Sequence, residues 1–273
     1  MNIERALDYK TSRRGFLKGT VMFGATAAIN PTQLGRFFEE TDKTVTPSIL
    51  MYHEVTYDLV RNDFMSRLRR GKQPISQATF IGILNRTIKL PSGLATFLPT
   101  ADDGRLSQYD GFRKAVDYVR EQMGIFIPVT FFALTMFNKL IEEGGISMEE
   151  VPDDTPCFND NGANQYMSKG KLVALIQDGH TIGNHTKNHW DLTTKDETGR
   201  NFDIDDADTR IQSLYDEAGV ERNSRVIAYP FGRFTQTILE RVKDQGFDAG
   251  FGTDLTTSVE SLRRYAILRQ RRS

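Results

Sequence analysis

The sequence predicts an α/β fold with a parallel sheet covered by helices, and its unit count favours a barrel over an open sheet. Short apolar runs rich in β-branched and aromatic residues recur along the chain. Amphipathic segments with helical spacing separate these runs. Six or seven such strand–helix units follow one another, which is typical of a parallel sheet that closes on itself.

The predicted strands follow from the apolar runs. SILMYHEV (48–55) comes first, and ATFLPT (95–100) stops just before Asp102-Asp103-Gly104. The third is IPVTFFAL (127–134), which is almost entirely β-branched or aromatic apart from its proline and its last two residues. Further strands are predicted at the start of HTIGNHT (180–186) and at 225–230, 247–253 and 265–268.

The predicted helices lie between these strands. In 110–123, Phe112, Val116 and Val119 recur at helical spacing, and Gly124 ends the segment. The same reasoning predicts helices at 169–178, 203–217 and 235–246. An acidic, turn-rich stretch at 143–166 is expected to be a surface insertion.

Composition excludes several classes of protein. The chain has 273 residues, a formal net charge of −1 and no run of about 20 apolar residues. We therefore expect no nucleic-acid partner and no stable membrane span. The single cysteine, Cys157, excludes an intrachain disulfide.

The N-terminal residues are typical of an export signal. SRRGFLK (12–18) has adjacent arginines, and the short apolar stretch GTVMFGATAAI (19–29) follows it. We expect residues 1–27 to be a signal peptide of the twin-arginine class, cleaved after Ala27. Its partner would be the twin-arginine export machinery, and the protein would reach the periplasm, the cell envelope or the medium. The alternative is an exposed basic helix.

On this division, residues 28–46 are a linker and residues 47–273 form one domain. The linker is polar, and the strand–helix alternation begins at Ser48.

The chain has only four histidines, His53, His180, His185 and His189, and three of them fall within ten residues. His185 and His189 follow one predicted strand, whereas Asp102 and Asp103 follow another. The carboxyl ends of parallel strands meet at one end of such a fold.

Two histidines, one carboxylate and an open position are the donor set of a hydrolytic zinc site, and the second carboxylate would remain free as a base. The alternatives are a surface or hydrogen-bonded histidine pair and an ordinary Asp-Asp-Gly turn. His180 is expected to be structural, and His53 is equally compatible with a structural role and a site role.

Together the motifs resemble those of the polysaccharide deacetylases, the NodB-homology family, over roughly residues 46–270. The segments that carry the resemblance are ILMYHEV (49–55), TADDG (100–104), VTFFAL (129–134), GHTIGNHTKNH (179–189), AYPFG (228–232) and FDAGF (247–251).

The resemblance implies a distorted (β/α) barrel of the NodB type and a metal-dependent hydrolase. Its substrate would be an acetylated amino-sugar polysaccharide such as chitin, peptidoglycan or poly-N-acetylglucosamine. Its cofactor would be a divalent metal, with Zn²⁺ first and Co²⁺, Ni²⁺ or Fe²⁺ also compatible.

The resemblance also implies roles for individual residues. Asp102 would be the catalytic base, and Asp103, His185 and His189 would be the metal ligands. The backbone N–H of Phe231 would bind the oxyanion.

Three further residues receive supporting roles from the same resemblance. Tyr229 and Phe231 would line the sugar groove, and Thr186 would fix the loop between the two histidines by hydrogen bonding.

Two positions depart from the family pattern. Ala228 stands where the family often has an arginine that orients the base. The last strand, YAILRQR (265–271), has no histidine to act as a general acid. Arg269 lies near that place and could hold Asp102 or bind substrate, because an arginine stays charged and is a poor proton donor. The general acid is thus unassigned.

Two other functions remain open on these grounds. One is a non-catalytic glycan-binding protein on the same barrel, and the other is a hydrolase of a small non-sugar amide.

Overall fold

The structure, a computed structural model, describes residues 47–135, 166–253, 264 and 266–272. The predicted signal peptide (1–27), the linker (28–46) and Cys157 lie outside these residues, as does the predicted insertion at 143–166 apart from Tyr166. No helix in the described ranges is both long and apolar enough to cross a bilayer.

The strands in the described residues form one sheet in which all pairs are parallel. They are β1 (Ser48–Tyr52), β2 (Gln73–Pro74), β3 (Thr96–Asp103), β4 (Thr130–Ala133), β5 (Thr181–Asn184), β6 (Val226–Ala228), β7 (Ala249–Gly252), β8 (Ile267–Leu268) and β9 (Gln270–Arg272). Their order is β8-β7-β6-β5-β4-β3-β1-β9, and β2 pairs with the start of β3.

Helices connect the strands. They are α1 (Tyr57–Arg69), α2 (Gln77–Leu84), α3 (Leu106–Met123), α4 (Lys169–Gln177), α5 (Glu197–Ala218) and α6 (Gln236–Asp244). A side-chain oxygen of the preceding residue accepts a backbone N–H at the start of five of them, as Asp196 does for α5. Gly124 and Gly219 end α3 and α5 in the left-handed conformation.

Alternate residues of the strands pack on opposite sides of the sheet. In β4, the Phe131 ring points outward to Phe112 of α3, with ring centroids 5.4 Å apart. The Phe132 ring points inward and lies 5.4 Å from Phe251 of β7. These two strands are three places apart in the sheet, so their inward side chains meet only because the sheet curls. The barrel expected from the sequence is therefore confirmed.

The C-terminal residues bring the two edges of this barrel together. β8 pairs with β7, β9 pairs with β1, and a single residue, Arg269, separates β8 from β9. The short segment 267–272 thus links β7 on one side of the barrel to β1 on the other.

Some elements were not expected from the sequence. α1, α2, β2 and β9 are additional, and α5 begins six residues before the predicted 203. α1 does carry a signal, since Val60, Phe64 and Leu68 are buried at a spacing of four.

Candidate active site

The sequence-predicted site residues lie at the carboxyl ends of the strands. Asp102 and Asp103 are the last residues of β3, and His185 follows β5. Phe231 lies in a 3₁₀ turn (Pro230–Gly232) after β6, and Arg269 follows β8. Because the strands are parallel, these ends face the same opening of the barrel.

Asp103, His185 and His189 form a buried cluster. Nε2 of His185 lies 3.3 Å from Oδ1 of Asp103, and Nε2 of His189 lies 3.5 Å from the same oxygen. The two imidazole rings are 4.9 Å apart. The cluster therefore directs two ring nitrogens and one carboxylate oxygen at a common point.

Hydrogen bonds fix the ring of His185 and the backbone of His189. Nδ1 of His185 lies 2.8 Å from the carbonyl oxygen of Ala228, which can only accept, so Nδ1 carries the hydrogen and the lone pair is on Nε2. The backbone N–H of His189 donates to Oγ1 of Thr186 at 3.1 Å. Thr186 thus holds the loop by a hydrogen bond, as the sequence predicts.

The cluster shifts the pKa values of its members. Burial lowers the pKa of His189 to about 3, with repulsion from His185 in the same direction, so this ring is neutral. Burial also opposes charge on His185, but Asp103 and Asp102 outweigh it and raise the pKa of that imidazole. Burial acts to raise the pKa of Asp103, yet the neighbouring histidines lower it. The same carboxylates that attract a proton would attract a cation.

Oδ2 of Asp103 is held separately from this cluster. Nε of Arg105 donates to it at 3.1 Å, and the same guanidinium pairs with Glu54. Oδ1 remains without a hydrogen-bond partner among the described residues. Arg105 therefore presents Oδ1 to the two histidines.

Asp102 lies beside this cluster and is 2% exposed. Two nitrogens of Arg269 donate to its carboxylate, Nη1 to Oδ1 at 2.5 Å and Nη2 to Oδ2 at 2.6 Å. Burial acts to raise the pKa of Asp102, but Arg269 outweighs it and lowers that pKa to about 2. Asp102 is therefore ionised, and it is not part of the three-residue cluster.

Sequence reasoning gave no definite site role to His53 and did not find Gln108. Nε2 of His53 lies 3.9 Å from Oδ2 of Asp102, and its Nδ1 is buried without a partner among the described residues. Gln108 is buried and donates to the backbone carbonyls of His53 and Asp102, so it ties the end of β1 to the end of β3. Gln108 also accepts the backbone N–H of Arg105 at the start of α3, which is a local capping signal, but nothing in the sequence predicts its contact with His53, 55 positions away.

Backbone strain is concentrated at the site. Asp103, Thr186, His189 and Phe231 have φ values of 80°, 66°, 54° and 58°, and only one other described non-glycine residue, Arg86, has a positive φ. Such conformations each cost roughly 1–3 kcal/mol and persist where the surroundings impose them. Their grouping here is what a functional constraint on the loops produces.

Phe231 and Tyr229 lie in different environments. Phe231 is 45% exposed, its ring lies 4.9 Å from that of His189, and its backbone N–H donates to no other described residue. Tyr229 is fully buried and packs against Phe234 and Leu239 in a second apolar cluster. The expectation that Tyr229 lines a sugar groove is therefore corrected: its side chain turns into the core, whereas Phe231 is at the opening.

The donor set of the cluster fits a divalent cation. Its three ligand atoms lie within 4.8 Å of one another. In a tetrahedron with bonds of about 2.0–2.1 Å, ligand atoms are about 3.4 Å apart, which agrees with the two distances from Asp103 Oδ1. The unpartnered Oδ1 and the neutral His189 are the groups that such an ion would use.

Comparison with known proteins agrees with this geometry. Residues 98–250, just over half of the chain, match the family model described as polysaccharide deacetylase. No curated protein matches the chain.

Solved structures share the fold at low identity. The Streptococcus pyogenes deacetylase PplD in complex with acetate is 18% identical, with a TM-score of 0.64 over 84% of this chain and 93% of that one. The BpsB deacetylase domain from Bordetella bronchiseptica is 15% identical, with a TM-score of 0.60 over 85% and 97%. IcaB from Ammonifex degensii is 21% identical, with a TM-score of 0.53 over 76% and 84%.

The family model begins within β3 and ends within β7, a range that includes the paired aspartates and the histidine motif. The chain therefore belongs to the polysaccharide deacetylase family.

Proposed function

We propose that this protein is a metal-dependent hydrolase that removes acetyl groups from an acetylated amino-sugar polysaccharide. Membership of the family supports a deacetylase, and hence a hydrolase that acts on amides. The observation that carries the proposal is the buried Asp103, His185 and His189 donor set beside a separate, ionised Asp102. A purely structural site has no need of the second carboxylate.

In this proposal Asp103, His185 and His189 hold the divalent ion. Zinc suits two imidazoles and one carboxylate, and cobalt, nickel or iron would also fit. When bound, such an ion polarises the acetyl carbonyl and lowers the pKa of a neighbouring water.

Asp102 acts as the base. It accepts a proton from the attacking water while the water oxygen forms its bond to the acetyl carbon. Each carboxylate oxygen has two lone pairs, and Arg269 uses one on each, so Oδ2 can still accept. The backbone N–H of Phe231 donates to the carbonyl oxygen as negative charge develops there.

His53 carries the proton to the leaving group. The C–N bond breaks, the amine nitrogen receives the proton that Asp102 took, and acetic acid departs and loses its remaining proton to solvent. Nε2 of His53 is 3.9 Å from Oδ2 of Asp102, and its side chain, at the carboxyl end of β1, is 32% exposed, so it is both near the base and accessible. His53 would thus be the general acid, a role for which the last strand has no histidine.

The proposed substrate lies outside the cytoplasm. The export signal predicted in residues 1–27 agrees with a polymer of the cell envelope. The Streptococcus pyogenes relative is described as a complex with acetate, the acid that this reaction would release.

The test is acetate release by purified protein that is stripped of metal and then given zinc. Acetylated chitooligosaccharides, poly-N-acetylglucosamine and peptidoglycan are the substrates. We expect acetate from at least one of them, dependent on zinc and reduced about 10²- to 10⁴-fold by Asp102→Asn. Asp110→Asn, on the exposed face of α3, is the matched control and should retain activity.

Two outcomes would contradict the proposal. One bound metal per chain without acetate from any polymer would favour a different amide or ester substrate. Glycan binding without metal and without acetate would favour a non-catalytic binding protein.

A further inference from the structure

Arg269 occupies an unusual place in the fold. It is the single residue between β8, which pairs with β7, and β9, which pairs with β1. The chain therefore passes from one edge of the barrel to the other at this residue. Although the neighbouring Leu268 and Gln270 are exposed, Arg269 is buried. The residue at which the C-terminal segment closes the barrel is thus also one whose positively charged side chain is buried in it.

The terminal nitrogens of Arg269 bind its neighbours, whereas its Nε has no hydrogen-bond partner among the described residues. Nη1 and Nη2 donate to the two oxygens of Asp102, and Nη1 also lies 3.3 Å from Oγ1 of Thr100. Thr100 in turn donates to the carbonyl oxygen of Leu50 at 2.7 Å. One face of the guanidinium lies 5.4 Å from the centre of the Phe132 ring. A planar fork held in this way fixes both the position and the plane of a carboxylate.

These contacts decide between the two roles that the sequence left open for Arg269. A substrate ligand needs donors directed at the opening, but the terminal nitrogens of Arg269 are directed at Asp102. Asp102 itself needs a partner, because it is buried next to a second carboxylate. Ala228, where an orienting arginine was expected, has only a methyl group to offer.

We propose that Arg269 is a positioning residue that holds the carboxylate of Asp102 in the plane required for proton transfer. Closure of the barrel by the C-terminal segment thereby completes the active site. The inference rests on the proposed function of Asp102 as the base. It assigns to Arg269 no contact with the substrate, and of the two roles that the sequence left open it keeps the one in which Arg269 holds Asp102.

The test is steady-state kinetics of acetate release for Arg269→Gln, Arg269→Lys and the control Arg271→Gln. Arg271 is on β9, two residues away, and is exposed. We expect Arg269→Gln to lower kcat about 100-fold with KM changed less than about threefold, because a misplaced base affects the reaction more than binding. Arg269→Lys keeps the charge but loses the fork, so kcat should recover only in part. Arg271→Gln should be within about twofold of wild type.

A double variant separates positioning from a general structural effect. If Arg269 acts through Asp102, adding Arg269→Gln to Asp102→Asn should cause almost no further loss of kcat. Bound metal, measured per chain, should stay at one in every variant. Where Arg269→Gln does not fold, Arg269→Lys and the double variant, which removes both charges, provide the same comparison.

Three results would overturn the inference. A rise in KM at constant kcat would make Arg269 a substrate ligand. Unchanged kinetics in Arg269→Gln would remove any role, and a further large loss in the double variant would mean that Arg269 acts independently of Asp102. If the wild type releases no acetate, the proposed function fails first, so the two failures are distinguishable.

Discussion

Two buried histidines at opposite ends of β5 differ in their hydrogen-bond partners and in the groups that surround their rings. His180 precedes the strand and His185 follows it. Nδ1 of His180 accepts the backbone N–H of Val129 at 3.2 Å, and its ring lies between Phe126 and Phe131. Nδ1 of His185 instead lies against a carbonyl oxygen, and its Nε2 faces a carboxylate.

The difference appears in the pKa shifts. Burial lowers the pKa of His180 to about 3, and the nearby Arg120 and Arg113 act in the same direction. At His185 the carboxylates overcome the effect of burial and raise the pKa. At His180, burial therefore leaves a neutral packing residue, whereas His185 has a backbone acceptor at one nitrogen and a carboxylate opposite the other, an arrangement that suits a cation.

The same substitution at both positions tests this comparison and should have the largest effect. We expect His185→Asn to weaken zinc binding by more than about 100-fold, since loss of a ligand must exceed the 10- to 100-fold effect of losing an outer partner. Acetate release should fall with it. His180→Asn should still bind one zinc per chain, as measured by titration of the metal-free protein. Equal zinc affinity in the two variants would contradict the assignment of the site.

The sequence predicted the members of the three-residue cluster but not all of the contacts that support it. Asp103, His185 and His189 were predictable because each follows or ends a strand whose pattern is plain, and parallel strands end together. The sequence left the pairing of Asp102 with Arg269 as one of two alternatives, because these residues are 167 positions apart and meet only when the barrel closes. No periodicity in the sequence reports such a contact.

The sequence also did not predict the direction in which a side chain beyond a strand end would point. Tyr229 and Phe231 both belong to AYPFG, yet one is fully buried and the other is 45% exposed. The left-handed backbone of Phe231, with φ of 58°, turns that residue outward. Local sequence predicts a turn at this proline but not which ring it exposes.

Acid stability provides a second test, centred on His180. Its folded-state pKa of about 3 lies below the unfolded value of about 6.5, so the unfolded chain binds more protons between these pH values. The contribution of His180 to the free energy of unfolding is therefore fully present above pH 6.5 and declines as the pH falls towards 3. Arg113, Asp117, Arg120 and Asp178 line the small cavity beside the ring, and the arginines act against its protonation.

We expect His180 to account for a loss of about 2 kcal/mol in the free energy of unfolding between pH 8 and pH 5. In His180→Asn, the amide oxygen can still accept from Val129 but cannot be protonated. At pH 8 this variant should be less stable than the wild type, because the ring contacts are lost. Between pH 8 and pH 5 its free energy of unfolding should then fall by less than that of the wild type. Urea unfolding at the two pH values measures the difference, and parallel losses in both proteins would exclude His180 as the source.

The smallest expected effect concerns Phe231, the aromatic ring at the opening. If its ring lines the substrate groove, Phe231→Ala should raise KM roughly five- to tenfold, which corresponds to about 1 kcal/mol of lost contact. Its backbone N–H remains, so kcat should change little. Met123, the last residue of α3, is 39% exposed and is the control, since Met123→Ala removes a large accessible side chain that precedes β4 and so lies away from the carboxyl ends of the strands. A fall in kcat at constant KM would mean that the side chain instead supports the neighbouring His189, whose ring centre lies 4.9 Å away.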